Sequence, residues 1–141
     1  MRSFSFPMHF KPEKDGGYVV TCRDVSEAIT QGDSLKEAIE AAEGALQAAL
    51  EMRIQDSLEI PTSSEPRRGE RLVSPPITTA LKAALHVAMR EQHLSKSELA
   101  RRLGVNEKEA RRLLNSGHAS KAPALERAIQ ALGKRVEVLI S

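Results

Sequence analysis

Three aspartates at intervals of nine residues, Asp15, Asp24 and Asp33, are the first side chains in the sequence that could do chemistry. Carboxylates that converge on a divalent cation activate water in metal-dependent nucleases. The segment from Phe4 to Phe10 contains no Asp or Glu, however, and each of the three aspartates lies in a predicted turn or loop. We therefore predict that the chain is not an enzyme and has no catalytic residues, no metal and no cofactor. Of the three functions that we consider for this sequence, an active nuclease is the least favoured.

His9 and Cys22 are two further candidates for reactive side chains in the first half. His9 lies on the polar phase of a predicted strand, with no partner base or nucleophile, and is expected to be exposed. Cys22 is expected to be a small apolar residue at a strand end. Because it is the only cysteine, no internal disulfide can form, which indicates a reducing cytoplasm.

A cluster of basic and polar side chains between residues 96 and 121 could bind nucleic acid. Arginine and lysine can pair with the base edge of guanine, and both, like hydroxyl groups, can also bind backbone phosphates. Lys108 and Arg111 are expected to point towards bases, and Arg112 to read a base or bind a phosphate. The predicted DNA-binding residues are Lys96, Ser97, Asn106, Lys108, Arg111, Arg112 and Lys121. The alternative is that these cations only solvate a helical bundle.

Two short helices are predicted to position this cluster. Ser95 with Glu98 forms a capping box, and Asn106 with Glu109 repeats the pattern. Gly104 lies between them, where the first helix must end in a left-handed turn. The residues expected to fill the wedge between the helices are Leu99, Leu103, Val105, Ala110, Leu113 and Leu114, and Ala100 is small where the helices approach closely. The pattern predicts a helix-turn-helix, and it resembles the Xre/Cro-type DNA-binding domain, in which the second helix enters the major groove.

The end of the chain predicts a dimer. A helix with Pro123 in its first turn and Gly133 at its end is followed by an apolar-polar alternation over residues 134–141, which indicates a strand. A lone strand has no partner within a helical domain, so we expect it to pair with the same strand of a second copy. Pairing with the N-terminal sheet is the alternative.

The first sixty residues predict an α+β unit of three strands and one helix. Residues 4–10 alternate apolar and polar, as a strand does, and Pro7 on the polar phase favours an edge position. Strands are also predicted at 18–22 and 28–31. Ser34 and Glu37 form a capping box at the start of a helix whose apolar face runs to Ile54.

Charge and composition divide the chain into two parts. Residues 1–63 carry six Lys and Arg against eleven Asp and Glu, a net charge of −5, whereas residues 64–141 carry fifteen against eight, a net of +7. The proline-rich residues 61–76 predict a semi-extended linker between domains at 1–60 and 77–141. The sequence contains neither a run of eighteen apolar residues nor a secretory signal pattern, so we expect no membrane partner.

The first half resembles the HicB-type antitoxins of bacterial type II toxin–antitoxin pairs. The resemblance lies in Gly17-Tyr18-Val19-Val20, in residues 23–34 with Thr-Gln-Gly-Asp before the helix, and in the Glu- and Ala-rich helix; Cys22-Arg23-Asp24 departs from a common Phe-Pro-Asp. It extends to residues 114–121 and 132–138. It implies a truncated RNase H-like fold, which binds a HicA ribonuclease toxin and occludes its active site. An acidic domain suits such a cationic partner.

The sequence therefore predicts an antitoxin. Its N-terminal domain would neutralise a HicA-like mRNA-cleaving toxin, through residues that the sequence does not identify. Its C-terminal domain would form a homodimer, with pairing into a tetramer left open, and bind double-stranded operator DNA to repress its own operon. The expected location is cytoplasmic, and nucleoid-associated on DNA. The runner-up is a ligand-sensing transcriptional repressor with a helix-turn-helix.

Overall fold

A computed structural model describes all residues, 1–141, and shows a four-stranded antiparallel sheet and one long helix followed by four shorter helices. The strands are β1 (Phe6–Pro12), β2 (Tyr18–Cys22), β3 (Thr30–Gly32) and β4 (Glu70–Val73). The helices are α1 (Leu35–Gln55), α2 (Ile77–Glu91), α3 (Lys96–Leu103), α4 (Glu107–Leu114) and α5 (Ala122–Ala131). The predicted α+β class is confirmed.

The sheet has four strands, so the prediction of three was wrong. The additional strand, β4, lies within the predicted linker and pairs antiparallel with β1, with Val73 opposite Phe6. The strand order is β3-β2-β1-β4, which makes β1 a central strand rather than the edge strand expected from Pro7. Pro7 lies opposite Leu72 and is fully buried. Strand β4 was not predicted for two reasons. The surrounding sequence is rich in proline, and a strand of four residues is too short to show a period of two.

The chain leading to β4 is attached to the sheet by side-chain hydrogen bonds. The Asp24 carboxylate accepts from the Ser64 backbone N–H at 2.8 Å and from its hydroxyl at 2.6 Å. Arg23 binds the Glu70 carboxylate at 2.8 and 3.0 Å through two nitrogens, which lowers the pKa of Glu70. Ser63 donates to the Ser5 carbonyl at 2.6 Å. The segment from 63 to 73 is therefore part of the sheet half and not a free linker.

Helix α1 covers one face of the sheet. Its N-cap Ser34 accepts from the Glu37 N–H, as predicted, but the Glu37 carboxylate accepts from the Asp33 N–H instead of completing the capping box. Six residues of α1 are buried: Ala38, Ala42, Leu46, Ala49, Leu50 and Ile54. They pack with Phe6, Met8 and Val20, which are fully buried. Burial of each large side chain contributes about 1.5–3 kcal/mol.

The two halves of the chain share one hydrophobic cluster that extends from the sheet to α5. Helix α2 lies at their junction and also contacts, through polar groups, the turn that follows α1. His86 Nε2 lies 2.7 Å from the Leu58 carbonyl oxygen, and Arg90 donates to the Ser57 carbonyl at 2.6 Å. None of the helices is both long enough and apolar enough to span a bilayer.

The last residues of the chain form no strand with the sheet. Residues 134–141 follow α5 without regular secondary structure, and Val138, Leu139 and Ile140 are 77–89% exposed. The alternative in which this tail pairs with the N-terminal sheet of its own chain is therefore not observed. Pairing across a dimer stays a prediction.

We predict that an ion pair in the sheet half makes stability depend on pH. Arg53 binds the Glu27 carboxylate through two nitrogens, each at 2.6 Å, and this holds the pKa of Glu27 at about 2 instead of 4.5. Because the folded-state pKa is depressed, the stabilisation is complete above about pH 5 and is lost as the pH falls towards 2. Because the two side chains are 16% and 34% exposed, solvent screening limits the stabilisation to about 1 kcal/mol.

Urea unfolding of the wild type and of Glu27→Gln between pH 2 and 7 measures this contribution. The difference in the free energy of unfolding should be constant near neutral pH and vanish at the acid end. A difference that did not change with pH would exclude the ionised pair as its source.

Candidate nucleic-acid interface

Helix α3 begins and ends as its sequence predicts. Ser95 and Glu98 form the complete capping box, in which each side chain accepts from the backbone N–H of the other. The helix ends at Gly104, whose φ of +67° is the left-handed conformation that glycine adopts at little cost. Only two residues, Val105 and Asn106, then separate Gly104 from α4. The chain therefore places two eight-residue helices around a short turn.

Apolar side chains fix the two helices against each other. Leu99 and Ala110 are fully buried, and Ala100 and Leu114 nearly so. The other predicted wedge residues, Leu103, Val105 and Leu113, are half-buried against the same cluster. The residues of the predicted wedge are therefore all buried or partly buried, whereas the polar face of α4 is exposed.

The exposed face of α4 carries three cations. Lys108, Arg111 and Arg112 are all exposed. The Arg111 guanidinium donates to the Glu107 carboxylate at 2.6 Å, and both side chains remain solvated, at 61% and 44% exposure. Asn106 caps the helix, with its side-chain oxygen accepting from the Glu109 N–H at 2.8 Å. Its role as a cap is thus established by geometry, whereas base contact by Lys108 and Arg111 stays a prediction.

The remaining predicted residues lie on neighbouring elements and are exposed. Lys96 and Ser97 occupy the first turn of α3, and Lys121 is the N-cap residue of α5. The Ser120 hydroxyl donates to the Arg112 carbonyl at 3.1 Å, so the turn that carries Lys121 is attached to the end of α4.

Lys96 also lines a cleft between the two halves of the chain. The cleft has a volume of about 410 Å³, and His86, Arg90 and His93 contribute to its wall, which contains no carboxylate. Burial lowers the pKa of His86, and the charges of Arg90 and Lys96 lower it further. The cleft is therefore a second basic region, adjoining the start of α3.

Lys82 is a functional candidate that the sequence did not reveal. Its side chain is buried beneath the end of α4, and Nζ donates to the Asn115 carbonyl and, at 2.6 Å, to the His118 carbonyl. Burial lowers the pKa of Lys82, although the charge of Glu51 opposes the shift. The only sequence signal is a lysine between apolar residues of α2, which is also typical of a solvated helix.

The other side chains that could take part in chemistry lie far apart. No three or more His, Cys, Asp or Glu side chains are grouped so as to hold a metal ion. His9 is exposed, as predicted, and Cys22 is buried at the end of β2, where desolvation raises the pKa of its thiol. Asp24 accepts the two hydrogen bonds from Ser64, which gives it a structural role in closing the sheet.

The fold and this surface define a small α+β protein in which a net-acidic sheet half is fused to a net-basic helical half. A family profile described as the HicB_like antitoxin of bacterial toxin–antitoxin systems matches residues 5–84, which include the whole sheet, α1 and half of α2. The chain belongs to the HicB-like antitoxin family, as its sequence motifs predicted. Membership implies a toxin as partner.

Curated relatives extend the match to the helical half. The chain is 36% identical to Antitoxin HicB of Escherichia coli (strain K12) over 135 residues, which cover 96% of this chain and 98% of the relative. It is 34% identical to Antitoxin HicB 2 of Photorhabdus laumondii over 138 residues, covering 98% and 97% of the two chains. It is also 34% identical to Antitoxin HicB of Pseudomonas fluorescens over 137 residues, covering 96% and 92%.

Proposed function

We propose that this antitoxin neutralises a HicA-like mRNA-cleaving toxin with its sheet half and represses its own operon with its helical half. The observation that carries the proposal is the match to named antitoxins along nearly the whole chain, including both halves. The sheet half would act as a truncated RNase H-like domain without catalysis of its own, by occluding the toxin's active site.

Electrostatics supports a cationic toxin as partner of the sheet half. Residues 1–73, which include β4, carry nine Lys and Arg against thirteen Asp and Glu, a net charge of −4. Glu40 and Glu43 are exposed on α1. A ribonuclease that grips an RNA backbone must present positive charge. An acidic surface therefore competes with RNA for that region and accelerates the encounter.

For the helical half, we propose a helix-turn-helix of Xre/Cro type formed by α3 and α4. Helix α4 would enter the major groove, with Lys108 and Arg111 on base edges. The proposed contacts to backbone phosphates come from Lys96, Ser97, Arg112 and Lys121, with Asn106 at the N-terminal end of the reading helix. The exposure of all seven side chains supports this assignment.

Growth rescue tests the toxin-binding part of the proposal. Expression of the short reading frame expected beside this gene should arrest growth, and co-expression of the full chain should restore it, with the two products co-purifying. Absence of arrest, together with thermal stabilisation of the chain by a metabolite, would instead favour a ligand-sensing repressor.

We predict that the tail dimerises the protein. Its exposed Val138 and Ile140 and its unpaired backbone suit addition of a strand from a second copy. Deleting residues 134–141 should halve the solution mass measured by light scattering. Operator affinity should fall by about tenfold or more, because each half-site is then bound separately.

Glu137→Ala, which removes an exposed carboxylate and its ion pair with Arg135 but keeps the tail, is the matched control and should leave the mass unchanged. An unaltered mass after deletion of the tail would exclude it as the dimer contact.

A further inference from the structure

We propose that Lys82 is a positioning residue for the DNA-binding helix, which it serves by holding the end of α4 and the following turn at a fixed place on α2. Lys82 is too deeply buried to touch DNA itself, since only 5% of the residue is exposed. The inference rests on the proposed binding of operator DNA by α4.

The contacts of Lys82 are directed at the carbonyl end of α4. The last carbonyl groups of a helix have no partner within the helix and carry partial negative charge. Asn115 is the C-cap residue of α4, and His118 lies in the next turn. Because an ammonium group has three donors, a single lysine can hold both carbonyl oxygens at once.

The burial of Lys82 is not explained by an ion pair. No carboxylate lies within salt-bridge distance of its Nζ, and Glu51 on α1 acts on it only through its charge. A buried charge is costly, and an apolar side chain of similar shape often stabilises a core at least as well. The two carbonyl contacts therefore indicate that Lys82 specifies the position of the turn.

The turn held by Lys82 is continuous with the proposed DNA-binding surface. The Asn115 side chain accepts from the Gly117 N–H at 2.8 Å, and Ser120 donates to the Arg112 carbonyl. Asn106 caps the other end of α4. Both ends of the helix are thus fixed. Lys82 connects the C-terminal end of α4 to α2, the helix that also contacts the turn after α1.

The experiment compares Lys82→Met, which keeps the length of the side chain but not its donors, with Lys82→Arg, which keeps donors and charge. The readout is the ratio of affinities for the operator and for a scrambled duplex. We expect Lys82→Met to lower this ratio by about tenfold, the size of a lost base contact, and Lys82→Arg to retain it within about twofold. Non-specific affinity should change by no more than about twofold, because the exposed cations remain.

Lys36→Met is the matched control, since it removes one lysine from an exposed position of α1. It should leave the affinity ratio at the wild-type value. A folded Lys82→Met with undiminished discrimination would overturn the role of Lys82 while leaving the proposed DNA binding intact. A wild type that did not distinguish operator from scrambled DNA would overturn both.

A measurement on the wild type covers the case in which Lys82→Met does not fold. A buried ammonium held by two carbonyl groups exchanges its protons slowly, so its ¹⁵Nζ correlation should be visible by NMR and should shift when operator is added. An unprotected Lys82 ammonium, or one whose signal is unaffected by the operator, would contradict the proposal.

Discussion

Replacing Gly32 with alanine is expected to destabilise the sheet half by about 3 kcal/mol, at the upper end of the effects of overpacking. A Cβ atom at this position would lie 2.6 Å from the Cα of Ala38 and closer still to its backbone nitrogen. These are backbone atoms of the first turns of α1, which cannot rotate away. The helix would have to move off β3, and its buried face would separate from the sheet.

Urea unfolding and growth rescue measure the two consequences of Gly32→Ala. We expect an earlier unfolding midpoint and loss of toxin neutralisation at growth temperature. Gly44→Ala is the control, because Gly44 lies on the exposed side of α1 with nothing within 4 Å of an added Cβ. Alanine should there stabilise the helix by about 0.5–1 kcal/mol. Equal stabilities for the two variants would contradict the close approach of β3 and α1.

Removing both proposed base-reading cations should have the largest effect on DNA binding. We expect the double substitution Lys108→Ala and Arg111→Ala to weaken operator binding by about 3 kcal/mol, or roughly two orders of magnitude. The single change Arg111→Ala should cost about 1–3 kcal/mol and relax sequence preference. Gel shifts with operator and scrambled duplexes measure both quantities.

Breaking the ion pair between Glu107 and Arg111 should strengthen DNA binding instead of weakening it. Arg111 has to leave the Glu107 carboxylate to reach a base, so Glu107→Gln should strengthen operator binding a few-fold. Glu126→Gln on α5 is the control for the loss of one exposed negative charge. Unchanged affinity and specificity in the Arg111 variants would mean that α4 is not the reading helix.

Local patterns in the sequence predicted the parts of the fold that local interactions determine. Ser95 with Glu98 marks the start of α3, and Gly104 its end, because capping involves residues only a few positions apart. Strand β4 escaped prediction because its partner, β1, lies some sixty residues earlier in the chain. The same pairing makes β1 central despite Pro7, which no local rule would indicate.

In the candidate site, too, local sequence patterns identified some residues and missed others. The cations of α4 could be identified because helical spacing separates them from the buried wedge. Lys82 could not, since its partners are backbone carbonyls 33 and 36 residues away, and any residue type can supply a carbonyl. The cleft beside Lys96 likewise combines side chains from both halves of the chain.

Strand β4 also limits how far the sheet half, which we propose binds the toxin, can move from the helical half, which we propose binds the operator. A sixteen-residue tether would span about 55 Å when fully stretched, whereas the three residues between Val73 and Ile77 span only about 10 Å, and two of them are prolines. Because this connection is so short, a toxin bound to the sheet half would be held at a fixed place relative to the helical half. Whether toxin and duplex can be bound at the same time would then depend on whether both fit around this one body.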